Sequence, residues 1–204
     1  MRLRHLLLSL LVLPVVLSAP ALAASPAARG PMATLRSYNE RMDKLLRKKD
    51  GPVDKEAVRS LASELFDYRE LARRAMAQHW DKLKPPQQEE FVKTFSQMIE
   101  KNYVKQLRSN IDYEVAYKDE NITDSDAVVA TIVKVRTKGK STDVSIDYKL
   151  HKNGADWRVY DLVTDEVSMV RNYRNQFNKI ITTESYDALL QKMRKRIAEA
   201  DSDK

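Results

Sequence analysis

The sequence has 204 residues, no cysteine, only four glycines and a formal charge of +7. Without cysteine, disulfide scaffolds, thiol nucleophiles and thiolate metal sites are excluded, and the length suits one domain with a substantial core. The basic residues are interleaved with acids, so nucleic acid is not an expected partner; a moderately basic charge either serves solubility or draws a protein to anionic lipid surfaces and acidic protein patches.

At the N-terminus Arg2 and Arg4 precede an apolar run from Leu6 to Leu17, and Ala21-Leu22-Ala23 offers a small-residue cleavage site. This is the pattern of a secretory signal peptide over 1–23. The run is short for a membrane span, and no later stretch approaches the eighteen or so apolar residues a span needs. Residues 24–204 are therefore expected to form a single exported domain, with 24–32 a mobile lead-in and 198–204 a charged tail.

Apolar residues Leu35, Tyr38, Met42, Leu45 and Leu46 form a helical stripe over 33–49, ended by Asp50-Gly51-Pro52. A second helix is read over 54–65, with Val58, Leu61 and Leu65 inward, and a third from Phe66 to Trp80. Lys84-Pro85-Pro86 breaks the chain before the longest helix, 87–108, which carries Phe91, Phe95, Met98, Ile99, Tyr103 and Leu107 on one face. After Asn110 the apolar period becomes two. Short strand 113–117, long β-branched strand 127–137 and strand 142–151 follow, the last with Val144, Ile146, Tyr148 and Leu150 on one face. Lys152-Asn153-Gly154 turns the chain into a fourth strand, in which Trp157, Val159, Asp161 and Val163 alternate against Arg158, Tyr160, Leu162 and Thr164. Thr164 and Asp165 offer N-cap oxygens to a helix over 167–181, and a last amphipathic helix spans 185–200. The expected fold class is α+β: N-terminal helices, an antiparallel meander of about four strands, and C-terminal helices enclosing an apolar cleft.

Chemistry-bearing motifs are scarce. No glycine-rich phosphate loop or nucleophile elbow occurs, and His79 and His151 lack metal-ligand spacing. Asp161 stands out as a carboxylate within an apolar strand; a buried one needs hydrogen-bond partners, and the reading adopted is a structural carboxylate at the strand-to-helix corner. No catalytic residue, metal or cofactor is expected.

The stretch Y-D-L-V-T-D-E-V-S-M from Tyr160 to Met169 resembles the closing strand and helix entry of the MlaC family. The similarity continues in F-D-Y-R-E-L-A-R-R-A-M (Phe66–Met76), W-D-K-L-K-P-P-Q-Q-E-E-F (Trp80–Phe91), F-S-Q-M-I-E-K-N-Y (Phe95–Tyr103) and Y-D-A-L-L-Q-K-M (Tyr186–Met193). The resemblance implies a periplasmic phospholipid carrier, a toluene-tolerance auxiliary component, working as a monomer between an inner-membrane ABC transporter complex and an outer-membrane lipoprotein complex to support outer-membrane lipid asymmetry. Acyl chains would enter a cleft between sheet and helices, with the headgroup left outside. Pocket candidates are Phe95, Met98, Ile99 and Tyr103 on the long helix, Val144, Ile146 and Tyr148 on the third strand, and Val163, Val167 and Met169 at the last corner. Glu166 departs from the glycine some members carry there, and a side chain would narrow or charge the pocket corner. Three alternatives stay open: a carrier of another lipid such as a hopanoid, a cone-fold isomerase- or dehydratase-like enzyme using Asp161 or His151, and a binding module with a fully packed core that acts only through its surface.

Overall fold

The computed structural model describes residues 30–47, 53–109, 112–137 and 140–202, without the side chains of 102–109, 137, 201 and 202. The signal peptide, most of the lead-in, the Asp50-Gly51-Pro52 break, the Lys138-Gly139 connection, the last two residues of the tail and the side chain of Tyr103 lie outside the described residues.

Among the described residues, six α-helices and five strands follow one another as α1 (Pro31–Leu46), α2 (Lys55–Leu65), α3 (Tyr68–Met76), α4 (Pro85–Ser109), β1 (Tyr113–Thr123), β2 (Asp126–Thr137), β3 (Lys140–Asn153), β4 (Asp156–Thr164), β5 (Val167–Ser168), α5 (Met169–Thr183) and α6 (Tyr186–Ser202), with a 3-10 turn at Ala77–Lys82. The α+β class is as expected, with a fifth strand beyond the four anticipated. The strands form one antiparallel sheet in chain order.

Local chemistry accounts for the helix boundaries. Pro31 occupies the first turn of α1, where its missing N–H costs nothing, so the helix begins inside the stretch expected to be a lead-in. Asp54 caps α2 by accepting from the Ala57 N–H, and Asp67 caps α3 by accepting from Glu70. Arg73 and Arg74 lie in the last turn of α3, where the helix dipole favours cations.

Two β-bulges set which side chains face the helices. In β4, Asp161 pairs with Lys149 but Val159 pairs with Leu150, so Tyr160 is inserted between them. The alternation therefore slips. Trp157 and Val159 share a face with Leu162, and Asp161 turns to the other face, against the uninterrupted alternation the sequence suggested. A second bulge between Tyr117 and Asp119 in β1 brings Glu120 onto the face of Tyr117.

The apolar interior is divided in two. One cluster holds Leu71, Phe91, Phe95, Met98, Ile99, Val170, Phe177, Leu189 and Met193, all buried between α3, α4, α5 and α6. The other holds Leu35, Ala127, Val129, Leu150, Trp157, Val159 and Leu162, between α1 and the sheet. Met169 packs against both.

Candidate functional site: an apolar cleft between the first two helices and the sheet

α1 crosses the sheet and is held at both ends. At its N-terminus the Met32 N–H donates to Glu120 Oε1 at 2.6 Å, a carboxylate placed on the helix dipole by the β1 bulge. Nearer its C-terminus Asn39 donates to the Tyr117 hydroxyl, and Arg47 Nη2 donates to the Tyr113 carbonyl at 3.3 Å. α2 is fastened separately. Arg158 Nη2 donates to the carbonyls of Ser63 and Phe66 at 2.7 Å each, and the Asp67 N–H donates to the Val159 carbonyl at 2.8 Å. The exposed Arg41–Glu64 ion pair, 2.7 Å, links the two helices.

These anchors leave a gap over one end of the sheet, a cleft of about 300 Å³. α1 contributes Tyr38, Asn39 and Met42; α2 and its C-terminus contribute Leu61, Ala62, Leu65 and Phe66. The floor is Tyr113 and Val115 of β1, Val133 and Val135 of β2, Val144, Ile146 and Tyr148 of β3, and Leu162 of β4. Strand register explains the set: Val115, Val133 and Val144 stand in one row, and Tyr148 lies opposite Leu162. Alternating β-branched residues on one face give an apolar floor, and the stripes of α1 and α2 give apolar walls. Asn39 is the exception in polarity, and its amide is engaged by Tyr117. Removal from water raises the Tyr148 phenol above its ordinary pKa, because burial penalises the phenolate; Tyr113 shifts the same way for the same leading reason. Among the described residues the cleft lining is hydrocarbon, phenol and one amide, with no carboxylate, imidazole, amine or guanidinium. Such a surface suits hydrocarbon chains.

Of the residues singled out in the sequence, Val144, Ile146 and Tyr148 lie on the cleft floor. Phe95, Met98 and Ile99 do not: they are buried in the four-helix cluster, where Phe95 meets Tyr173 edge-on at 4.8 Å and Phe177 at 5.1 Å. Met98 also reaches a shallow groove between α4, α5 and α6. The pocket wall expected on the long helix and at the last corner is thus corrected: the apolar stripes of α4 and α5 are buried against each other, α3 and α6, and α1 and α2 wall the cleft. Val163 falls on the opposite face, because the Tyr160 bulge puts Leu162 in its place. Val167 is 59% exposed on the two-residue strand β5, outside the cleft. Met169 is partly buried between the two clusters without lining the cleft.

The corner itself is a hairpin. Asp165 and Glu166 form the two-residue turn between β4 and β5 with φ of +45° and +68°. Both angles lie in the left-handed region that favours glycine, which gives a backbone reason for glycine at position 166. Glu166 is exposed and does not line the cleft. The N-cap of α5 is Ser168, not Thr164 or Asp165. Asp161, 3% exposed, accepts from Ser168 Oγ at 2.7 Å and from the Val170 N–H at 2.9 Å, with Lys149 Nζ 3.8 Å away. It ties β4 to the first turn of α5. His151 is paired with Asp67 Oδ2 at 3.0 Å. Neither group that an enzymatic reading would use opens onto the cleft.

The cleft walls carry no distinct signal in the sequence. Tyr38, Met42, Leu61 and Leu65 were legible as helical stripes, but a stripe facing a gap looks the same as one facing a core.

Residues 37–195 match the family described as MlaC protein. The chain belongs to the MlaC family. A curated relative, the intermembrane phospholipid transport system binding protein MlaC of Haemophilus influenzae, is 25% identical over 109 residues, or 52% of this chain and 51% of the relative; the match thus spans about half the relative's length. Among solved structures, a phospholipid-binding protein from Ralstonia solanacearum, in complex with a phospholipid, superposes with a TM-score of 0.71 at 24% identity, over 83% of this chain and 97% of that one. The MlaC-family fold is therefore shared across nearly the whole of that protein. Among the described residues, no helix is long and apolar enough to cross a membrane.

Proposed function

We propose that this MlaC-family protein is a carrier that takes up the acyl chains of a phospholipid in the cleft between α1, α2 and the sheet. The observation that carries the reading is the cleft lining: aliphatic and aromatic side chains on three sides, with no charged group among them. The relatives named for phospholipid binding and transport support the same ligand class.

In this reading the chain is exported, loses residues 1–23 and acts in the periplasm, with 24–204 as one lipid-binding domain. It exchanges lipid with an inner-membrane ABC transporter complex and an outer-membrane lipoprotein complex, and so supports outer-membrane lipid asymmetry. The energetics favour a shuttle over a store. Two acyl chains contain roughly thirty methylenes, which at about 0.8 kcal/mol each gives on the order of 25 kcal/mol for removal from water. That exceeds the practical ceiling of about 20 kcal/mol for non-covalent affinity. A donor that is itself apolar removes most of this difference, so lipid moves between partners at little net cost.

The test is lipid extraction of the purified protein followed by mass spectrometry. Diacyl glycerophospholipid at near one molecule per chain is expected; a protein that stays empty after incubation with phospholipid vesicles would overturn the assignment.

A further inference from the structure

A phenol taken out of water needs a hydrogen-bond partner. The Tyr117 hydroxyl accepts from Asn39, and the Tyr186 hydroxyl donates to the Gln87 carbonyl at 2.9 Å. Tyr148 departs from this pattern. It stands on β3 opposite Leu162 and lines the cleft, and its hydroxyl has no hydrogen-bond partner among the described residues.

That hydroxyl is not sealed among protein atoms; among the described residues the fully enclosed side-chain polar atom without a partner is Arg158 Nε. Tyr148 is only partly covered by protein, yet burial is the first cause raising its phenol, and it moves Tyr148 further than Tyr113. Both statements hold because the surface Tyr148 leaves open faces the interior cleft and not bulk solvent. Tyr117 and Tyr113 also act on this phenol, which sets its hydroxyl end over the cleft floor on the side of β1. Val133, Val144, Ile146 and Leu162 share that floor and offer no side-chain acceptor.

A hydrocarbon chain drawn over Tyr148 would therefore leave a donor buried and unpaired, which is unfavourable. A diacyl glycerophospholipid brings its own acceptor. Its ester carbonyls are neutral and stand where the hydrocarbon begins, so they can enter a lining that has no cation to hold a phosphate. We infer that Tyr148 donates its hydroxyl hydrogen bond to an ester carbonyl of the bound lipid, and so makes the cleft selective for ester-linked over ether-linked chains. The inference rests on the acyl-chain reading of the cleft and adds to it a specificity-determining residue.

The experiment incubates the protein with vesicles of equimolar diacyl and dialkyl phosphatidylethanolamine of equal chain length, re-isolates it, and quantifies both lipids by mass spectrometry. The wild type should carry the diacyl form in about five-fold excess, the factor that about 1 kcal/mol for one hydrogen bond gives. Tyr148→Phe keeps the ring and removes the hydroxyl. It should bring the ratio to about one, through loss of diacyl lipid, and should melt no lower than the wild type because the hydroxyl has no protein partner to lose. Tyr186→Phe removes a partnered hydroxyl outside the cleft; it should melt lower and keep the five-fold ratio. A wild-type ratio near one, or an excess that survives Tyr148→Phe, would overturn the ester assignment while leaving the cleft intact. So would a fall in the melting temperature of Tyr148→Phe matching that of Tyr186→Phe, which would show the hydroxyl committed to the protein. Absence of both lipids from the wild type would overturn the cleft assignment, and this inference with it.

Discussion

Asp161 shows how one buried carboxylate organises a corner. Its two oxygens accept from Ser168 Oγ and the Val170 N–H, and Ser168 Oγ in turn accepts from the Arg171 N–H at 3.0 Å. Hydrogen bonds to a charged acceptor contribute about 1.5–3 kcal/mol each, and breaking them strands buried donors. Asp161→Ala is therefore expected to lower unfolding stability by about 3 kcal/mol in urea titrations, while the folded fraction keeps its lipid; loss of lipid at unchanged stability would instead mark Asp161 as a binding group. Glu166 makes the opposite prediction. Its φ of +68° costs an L-residue about 1 kcal/mol that glycine does not incur, partly offset by glycine's greater freedom when unfolded. Glu166→Gly should raise stability by a few tenths of a kcal/mol up to about 1, with lipid content unchanged because residue 166 is outside the cleft.

At the level of elements, α2 is the cleft wall most dependent on a single side chain. Arg158 reaches from β4 to the carbonyls of Ser63 and Phe66, capping the C-terminal turn of α2 against the sheet. Arg158→Met keeps much of the bulk and removes both bonds; a loss of about 2 kcal/mol and faster release of bound lipid are expected. Stability lost with lipid release unaltered would show that α2 does not need this tie to hold the wall. The helices, their stripes and the antiparallel order were legible because period and capping residues are local signals. The pairing of elements was less so. The run Phe91, Phe95, Met98, Ile99 on α4 is as apolar as any pocket wall, and it is core because Tyr173 and Phe177 of α5 and the apolar residues of α3 and α6 pack on it. The Tyr160 bulge carries no glycine or proline to announce it, so the exchange of Val163 for Leu162 on the cleft floor could not be read from alternation.

Across the whole molecule, the four-helix cluster is a packed core, and the cleft lies on the α1–α2–sheet side. One consequence concerns acid stability. Glu70 accepts from Arg73 at 2.7 Å and from Arg74 at 2.6 Å, and the Arg73 hydrogen bond leads in holding its pKa down at about 2, against 4.5 unperturbed. A depressed carboxylate contributes stability above its unfolded pKa and loses it as pH falls from about 4.5 toward 2. Wild type should therefore lose more stability than Glu70→Gln over that window, and parallel pH profiles would show that the network is energetically silent. The most direct test of the cleft compares two tryptophan substitutions, Ile146→Trp on the floor and Val167→Trp on the exposed strand, by melting temperature and by extracted lipid. Overpacking a filled core costs about 1–3 kcal/mol, whereas filling an open cleft costs little. The account predicts that both variants melt near the wild type, that Ile146→Trp carries no lipid, and that Val167→Trp carries a full complement. Full lipid in Ile146→Trp, or its loss in Val167→Trp alone, would contradict the cleft between α1, α2 and the sheet.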